Sequence, residues 1–352
     1  MKRLLALLVP LLAGGALFAT DAPKAAPVAA TVETTLKTDA GRIRQLAFDG
    51  DLNSFFVSAQ NPTAADHFTL VFDEPVAMKS IMVATGRPKQ NDWLDAGVLE
   101  ASADGKTFST LAKFMNGVAR AVPEGRKVRA LRVRPTADLQ HPLAIGEMVI
   151  DSEPQVAVFK NPIEFIVDVS DAPDMKEWAE NAARVCERNY PMICEELKSE
   201  GFKPRTVITM RLKKDYRGVA AAGGGRITGS MKYFQEHPKD VGAMVHETVH
   251  CVQDYRTRNN PGWLVEGIAD YLRFFKYEPG KLGKIRPDAH YNGSYRVTAA
   301  FLAFVTDKYD KELVRKLNKI MREGEYHADV WKAITGKTVQ ELDEEWHASR
   351  NS

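Results

Sequence analysis

His246, Glu247 and His250 stand together in the run VHETVHCVQDY, residues 245–255. On a helix, positions four apart share a face, so both imidazoles can point at one metal ion. Glu247 beside them is suited to hold a water and take its proton. Two histidines leave a catalytic ion short, because catalytic zinc takes three protein ligands and a water. Sixteen residues beyond His250, the run PGWLVEGIADYLRFF carries Glu266 and, four positions later, Asp270. Leu264, Ile268, Leu272 and Phe275 form the apolar side of that helix, which puts both acids on one face. The loop TRNNPG is short enough to fold the second helix against the first. Glu266 is then the expected third ligand of a Zn²⁺ ion. Asp270, one turn on, is expected to accept the other ring N–H of a ligand histidine. Acids on an exposed helix face are ordinary, but the two half-motifs in this order are not.

The elements that must position these groups fill residues 160–350. IEFIVDV and RTVITMRLK read as strands and MKEWAENAARVCERNY as a helix. GGGRITGSMKYF is a glycine-led, β-prone stretch. HPKDVGAMVHETVHCVQDY predicts a helix with Pro238 in its first turn, and Pro261 opens the next. Three further helical stretches close the chain, so this half is α+β. Residues 33–152 have a different rhythm, with short alternating runs broken by turns: HFTLVF, SIMVAT, GVLEAS and KVRALRVRP. That pattern predicts an all-β sandwich.

Charge and composition narrow the function. The chain has 352 residues, 44% hydrophobic and 27% charged, with a net charge of +2. Such a balance gives no electrostatic footprint for nucleic acid. MKRLLALLVPLLAGGALFAT reads as a signal peptide over residues 1–19, and DAPKAAPVAAT places an extended linker at 20–32. A secreted or periplasmic protein follows, with no stable membrane insertion after signal removal. Of the three cysteines, Cys186 and Cys194 flank Pro191, whose bend would let them pair; three buried thiols is the alternative. The DGD at 49–51 offers oxygen ligands for a structural Ca²⁺, or a plain turn.

Two resemblances sharpen this reading. AFDGDLNSFFVS, HFTLVFDEPVAMKSIMV, VLEASADGKTFSTLAKF and VRALRVRPTADLQHPLAIGEMVI resemble, in order, the discoidin-like, galactose-binding sandwich. Such domains often bind glycans through loops at one end, which implies Arg87, Asp92 and Trp93 as glycan contacts here. HETVH followed by GWLVEGIADYLRF, with IEFIVDVSDAPDMKEWAE, GGGRITGS, SYRVTAAFLAFV and VWKAITGKTVQELDEEW, resembles the basic secretory protein family of plant and bacterial zinc peptidases. That resemblance implies a zincin-like metallopeptidase domain, with a small sheet covering the central helix. It places Ile227, Thr228, Gly229 and Ser230 as an edge strand for substrate, and Tyr295, with Tyr291 as the alternative, as donor to a developing oxyanion.

The expectation is a zinc endopeptidase acting on a protein or glycoprotein, with Glu247 as general base. The rival is a carbohydrate-binding or adhesion protein whose zincin domain is silent.

Overall fold

A computed structural model describes residues 25–256 and 259–351. The signal-peptide reading of residues 1–19 lies outside them. The N-terminal domain contains eight strands: β1 (Ala30–Thr34), β2 (Phe56–Val57), β3 (Phe68–Thr85), β4 (Gly97–Ser102), β5 (Ser109–Lys113), β6 (Val118–Ala121), β7 (Lys127–Pro135) and β8 (Ala144–Glu153). HFTLVF and SIMVAT, read as two strands, are one 18-residue strand, β3. Its first half pairs with β1 and β7, and its second half with β6 and β8. The register slips between Val71 and Val76, where β3 passes from one layer to the other. All of these pairings are antiparallel, and Phe56, Phe68, Leu70, Phe72, Leu131 and Val133 fill the core between the layers. The domain is the expected all-β sandwich. The stretch read as linker to residue 32 enters the sheet earlier, because β1 begins at Ala30.

The second domain has a four-stranded sheet ordered β11–β12–β10–β9, from β9 (Glu164–Asp168), β10 (Val207–Lys213), β11 (Ala220–Gly223) and β12 (Arg226–Ser230). β9, β10 and β12 are parallel, and β11 returns antiparallel along the outside of β12. Its helices are α1 (Lys176–Glu196), α2 (Met231–Glu236), α3 (Gly242–Gln253), α4 (Gly262–Tyr271), α5 (Tyr295–Lys308), α6 (Leu313–Glu323), α7 (Val330–Thr335) and α8 (Val339–Asn351). A π-helical turn, Leu272–Tyr277, extends α4.

Helix α3 is the centre of this domain. Every residue from Gly242 to Gln253 is buried except His250, as expected for a helix enclosed on most sides. The sheet, α1 and α4 pack around it. Gly229 lets β12 come down onto α3, since a Cβ there would meet Met244 Cε at 2.5 Å and Phe234 Cε2 at 2.9 Å. Gly267 does the same between α4 and α5, where a Cβ would collide with Thr298. Both glycines serve close packing. Pro238 sits in a turn before α3, which starts four residues later than the sequence pattern implied. Its carbonyl accepts the Trp178 indole N–H at 2.8 Å.

Helix α1 runs 21 residues straight through Pro191. At 1.5 Å per residue, Cys186 and Cys194 stand roughly 12 Å apart along it, too far for a disulfide. All three cysteines are buried and free, which removes the proposed bridge.

The two domains meet through buried charge. Arg44 of the sandwich donates to Glu187 of α1 at 2.5 Å and lies 3.5 Å from Glu164 of β9. Glu187 also accepts from Arg184 and from the Phe165 N–H, and Gln45 accepts the Ile163 N–H at 2.9 Å. Burial, chiefly, pushes the Glu187 carboxyl up to about 7, against the pull of Arg44. Charges this buried persist only when paired, so the contact fixes the sandwich against α1 and β9. No helix among the described residues is long and apolar enough to cross a membrane.

Candidate active site

Helix α3 presents His246 and His250 on the side facing α4, and α4 presents Glu266 back to them. His246 Nε2 lies 3.1 Å from His250 Nε2 and 3.1 Å from Glu266 Oε2, and His250 Nε2 lies 3.3 Å from the same oxygen. Three donor atoms thus form a nearly equilateral triangle. Ligands at ~2.1 Å from a tetrahedral ion would stand roughly 3.4 Å from one another, so the triangle is the right size for one.

The opposite ring nitrogens are also held. His246 Nδ1 bonds Asp270 Oδ1 at 2.7 Å, the contact expected from the four-residue spacing on α4. His250 Nδ1 bonds Gln253 Oε1 at 2.7 Å, while Gln253 Nε2 donates to the Val265 carbonyl at 2.9 Å. Both acceptors set the Nδ1–H tautomer, leaving each Nε2 with a lone pair. Two lone pairs and a carboxylate aimed at one point repel unless a cation or proton sits among them. The side chains register this. Burial pushes the His246 imidazolium down, but the bonds to Asp270 and Glu266 outweigh it and lift its pKa to about 9. For Glu266, burial acts upward, yet the two histidines hold it down at about 2. The donor set therefore fits a metal ion.

Glu247, 7% exposed, points from the next position of α3 into the same cleft. Burial raises its carboxyl, opposed by the two histidines and a hydrogen bond from the Ala222 backbone. That bond links the glutamate to β11. The strand carrying Ile227, Thr228, Gly229 and Ser230 is β12, which lies inside the sheet between β10 and β11. Its edges are both paired, so those residues cannot form the edge strand; Ala220–Gly223 of β11 do. Sequence order misplaced the edge because the chain makes a tight glycine turn at 224–225 and doubles back.

The cleft has a volume of about 1060 Å³. β11 and the glycines after it form one wall. Val265, Glu266 and Asp270 of α4, with Ser294, Tyr295 and Arg296 at the start of α5, form the other. Tyr295 is 52% exposed, and its ring lies parallel to that of His246, centroids 6.2 Å apart. The Glu266 charge, with burial second, raises its phenol pKa, so the O–H stays a donor. Tyr291 instead packs edge-on against Trp263 and beside Phe301, outside the cleft lining.

In the sandwich, Arg87 and Asp92 bind each other. Asp92 is 4% exposed and accepts from the Arg87 N–H at 2.8 Å and Nε at 2.5 Å. It therefore shapes the loop and does not face solvent. Trp93 is 40% exposed, its indole donating to Asp95, with Gly86 and Gly117 packed beneath its Cβ. Asp49 and Asp51 cap their own turn by accepting from Ser54 and Asn53. Beneath them Glu147, 6% exposed, keeps Oε2 without a hydrogen-bond partner. Burial and the Asp49 charge push Glu147 up to about 7.

Fold and donor set together define an α+β domain whose central helix can hold one metal ion at the base of an open cleft, joined to a β-sandwich. The chain belongs to the family described as peptidases of plants and bacteria, whose model matches residues 164–346. No curated protein matches the sequence. Among solved structures, the CBM32-1 module of a family 31 glycoside hydrolase from Clostridium perfringens is 18% identical. It covers 34% of this chain and 92% of its own, with a TM-score of 0.31. The family 32 module of Clostridium perfringens NanJ, solved with galactose, is 12% identical, with the same coverage and a TM-score of 0.29. A fucose-binding module of Streptococcus pneumoniae is also 12% identical over 34% of this chain and 92% of its own, with a TM-score of 0.30.

Proposed function

We propose that this peptidase is a secreted or periplasmic zinc endopeptidase, with His246, His250 and Glu266 as the metal ligands. The triangle of donor atoms beside a buried glutamate carries the reading. Bound zinc supplies a Lewis acid that polarises the scissile carbonyl and lowers the pKa of water toward about 7. Glu247 takes the proton of the attacking water and delivers it to the leaving amine. Burial raises its carboxyl above the ordinary value, which favours its taking a proton. Tyr295 donates to the oxygen of the attacked carbonyl as charge develops there. An extended substrate pairs with the main chain of β11, which tolerates many sequences. The cleft runs from Asp240 and Ala243 at one end of α3 to Asp254 and Tyr255 beyond the other, which suits an internal peptide segment.

The test is hydrolysis of an unstructured protein by the mature chain. Loss of cleavage with a chelator and recovery with added zinc are expected; cleavage indifferent to chelation would sink the reading. Asp270→Asn should weaken zinc affinity by about 10- to 100-fold, because His246 loses the carboxylate that orients it. A competition titration against a metal-sensitive dye reads this directly. The silent-zincin alternative has no use for Glu247, a buried acid facing the cleft.

The sandwich supports a second reading. It is a structural Ca²⁺ at Asp49 and Asp51, and the unpaired Glu147 oxygen beneath them is the observation in its favour, although the three carboxylates do not converge as His246, His250 and Glu266 do. Glu147 titrates from an ordinary 4.5 in the unfolded chain to about 7 in the folded one. The folded state therefore holds the proton more tightly, and in chelator stability should fall as pH rises from about 5 to 8. Added Ca²⁺ should raise the sandwich's unfolding temperature, by roughly 5 °C or more at pH 8. A calorimetric scan with no Ca²⁺ response at either pH would count against the site. Trp93, 40% exposed, is the proposed contact for a glycan on the substrate or its surroundings, with Arg87 of the same loop.

A further inference from the structure

Among the described residues, the cleft is lined by one cation that its own walls do not answer. At its α3 C-terminal end, Asp254 is paired with Arg205 at 2.9 Å. At the other end, Asp240 is held by Arg273 at 2.5 Å and by the Tyr233 hydroxyl at 2.7 Å, and Arg273 also binds Glu278 at 2.7 Å. In the middle, Glu266 and Asp270 face the histidines. Arg296, which lines the same cleft one residue after Tyr295, has no carboxylate partner among the described residues. Its polar contact is a 3.5 Å approach of Nη1 to the Leu282 carbonyl, at the limit of a hydrogen bond. The guanidinium is not loose, however. It lies over the buried Phe274 ring, 4.8 Å from the centroid, with Arg273 against the same ring at 4.6 Å.

We infer that Arg296 determines specificity, binding a carboxylate of the substrate at the end of the cleft nearest the start of α3. This rests on the peptidase reading given above. A flat guanidinium already stacked on an aromatic ring loses little freedom when it forms two hydrogen bonds to a carboxylate. Neighbouring acids cannot compete for it, because Asp240 and Glu278 are both engaged by Arg273. The carboxylate belongs either to an acidic side chain a few residues from the scissile bond or to the C-terminus of the substrate. Both present the same planar pair of oxygens.

The experiment uses binding, so that it does not depend on turnover. Glu247→Gln protein, loaded with zinc, is titrated calorimetrically with matched peptides that differ only as Glu against Gln, or as free against amidated C-terminus. A carboxylate in one of these pairs should tighten binding by roughly tenfold, the value of one charge-assisted contact. Adding Arg296→Gln should abolish that difference, while Arg296→Lys should restore part of it. Tighter binding in the Glu/Gln pair identifies a side chain; tighter binding in the free/amidated pair identifies a C-terminus. Equal affinity within both pairs, or a difference that survives Arg296→Gln, overturns the inference, as does a failure of all of these peptides to bind. Hydrolysis of an unstructured protein by the wild type, run alongside, reports on the peptidase reading separately.

Discussion

Glu247→Gln should lower kcat/KM for peptide hydrolysis by about 10³-fold, within the usual range for a general acid–base group, and leave the bound zinc in place. The amide keeps the size of the carboxyl and can still contact the Ala222 backbone, so the cleft should not collapse. It cannot take a proton from water. Glu247 is also no member of the donor triangle, which consists of His246, His250 and Glu266. Activity and metal content should therefore separate in this variant. Kinetics with a quenched peptide, beside zinc determination on the same sample, read the two quantities. A variant that keeps more than a tenth of wild-type activity would assign the proton transfer to another group. One that loses zinc together with activity would move Glu247 from proton transfer to metal binding.

The separation is sharp because the sequence and the fold place these residues differently. His246 and His250 were legible together, since an i, i+4 pair on one helix needs only local geometry. Glu266 and Asp270 were legible because both spacings are helical and the loop between the helices is short. Gln253 was missed although it lies three residues after His250 on the same helix. A glutamine carries no charge to mark it, and its role depends on the Val265 carbonyl of another helix fixing its amide. The edge strand was misplaced for a related reason. GGGRITGS carries the right composition for an edge, but which strand lies outside depends on a reversal at Gly224 and Gly225 that alternation does not encode. In the sandwich, alternation marked both ends of β3, yet the slip at Val71–Val76 that joins them into one strand follows from packing two layers. Arg296 likewise looks like any surface arginine until the ion pairs of its neighbours are known.

Tyr295→Phe is the second large effect. Removing one oxyanion donor typically costs about 10²- to 10³-fold in kcat, and Tyr295 lines the cleft with its ring beside that of His246. The ring is 52% exposed and packs little, so phenylalanine should leave the fold intact. KM should change little, because a donor that engages the carbonyl oxygen only as charge develops adds nothing to ground-state binding. Steady-state kinetics on one peptide separate these quantities. A rise in KM at constant kcat would instead make Tyr295 a substrate-binding wall. An unchanged kcat would transfer the charge stabilisation to other donors along the cleft. Tyr291→Phe provides the control: its half-buried ring packs edge-on against Trp263 and tilted against Phe301, outside the cleft lining, and its kcat should stay within a few-fold of wild type. If the two variants behaved alike, the effect would be one of packing in the second domain, and the donor role of Tyr295 would fall.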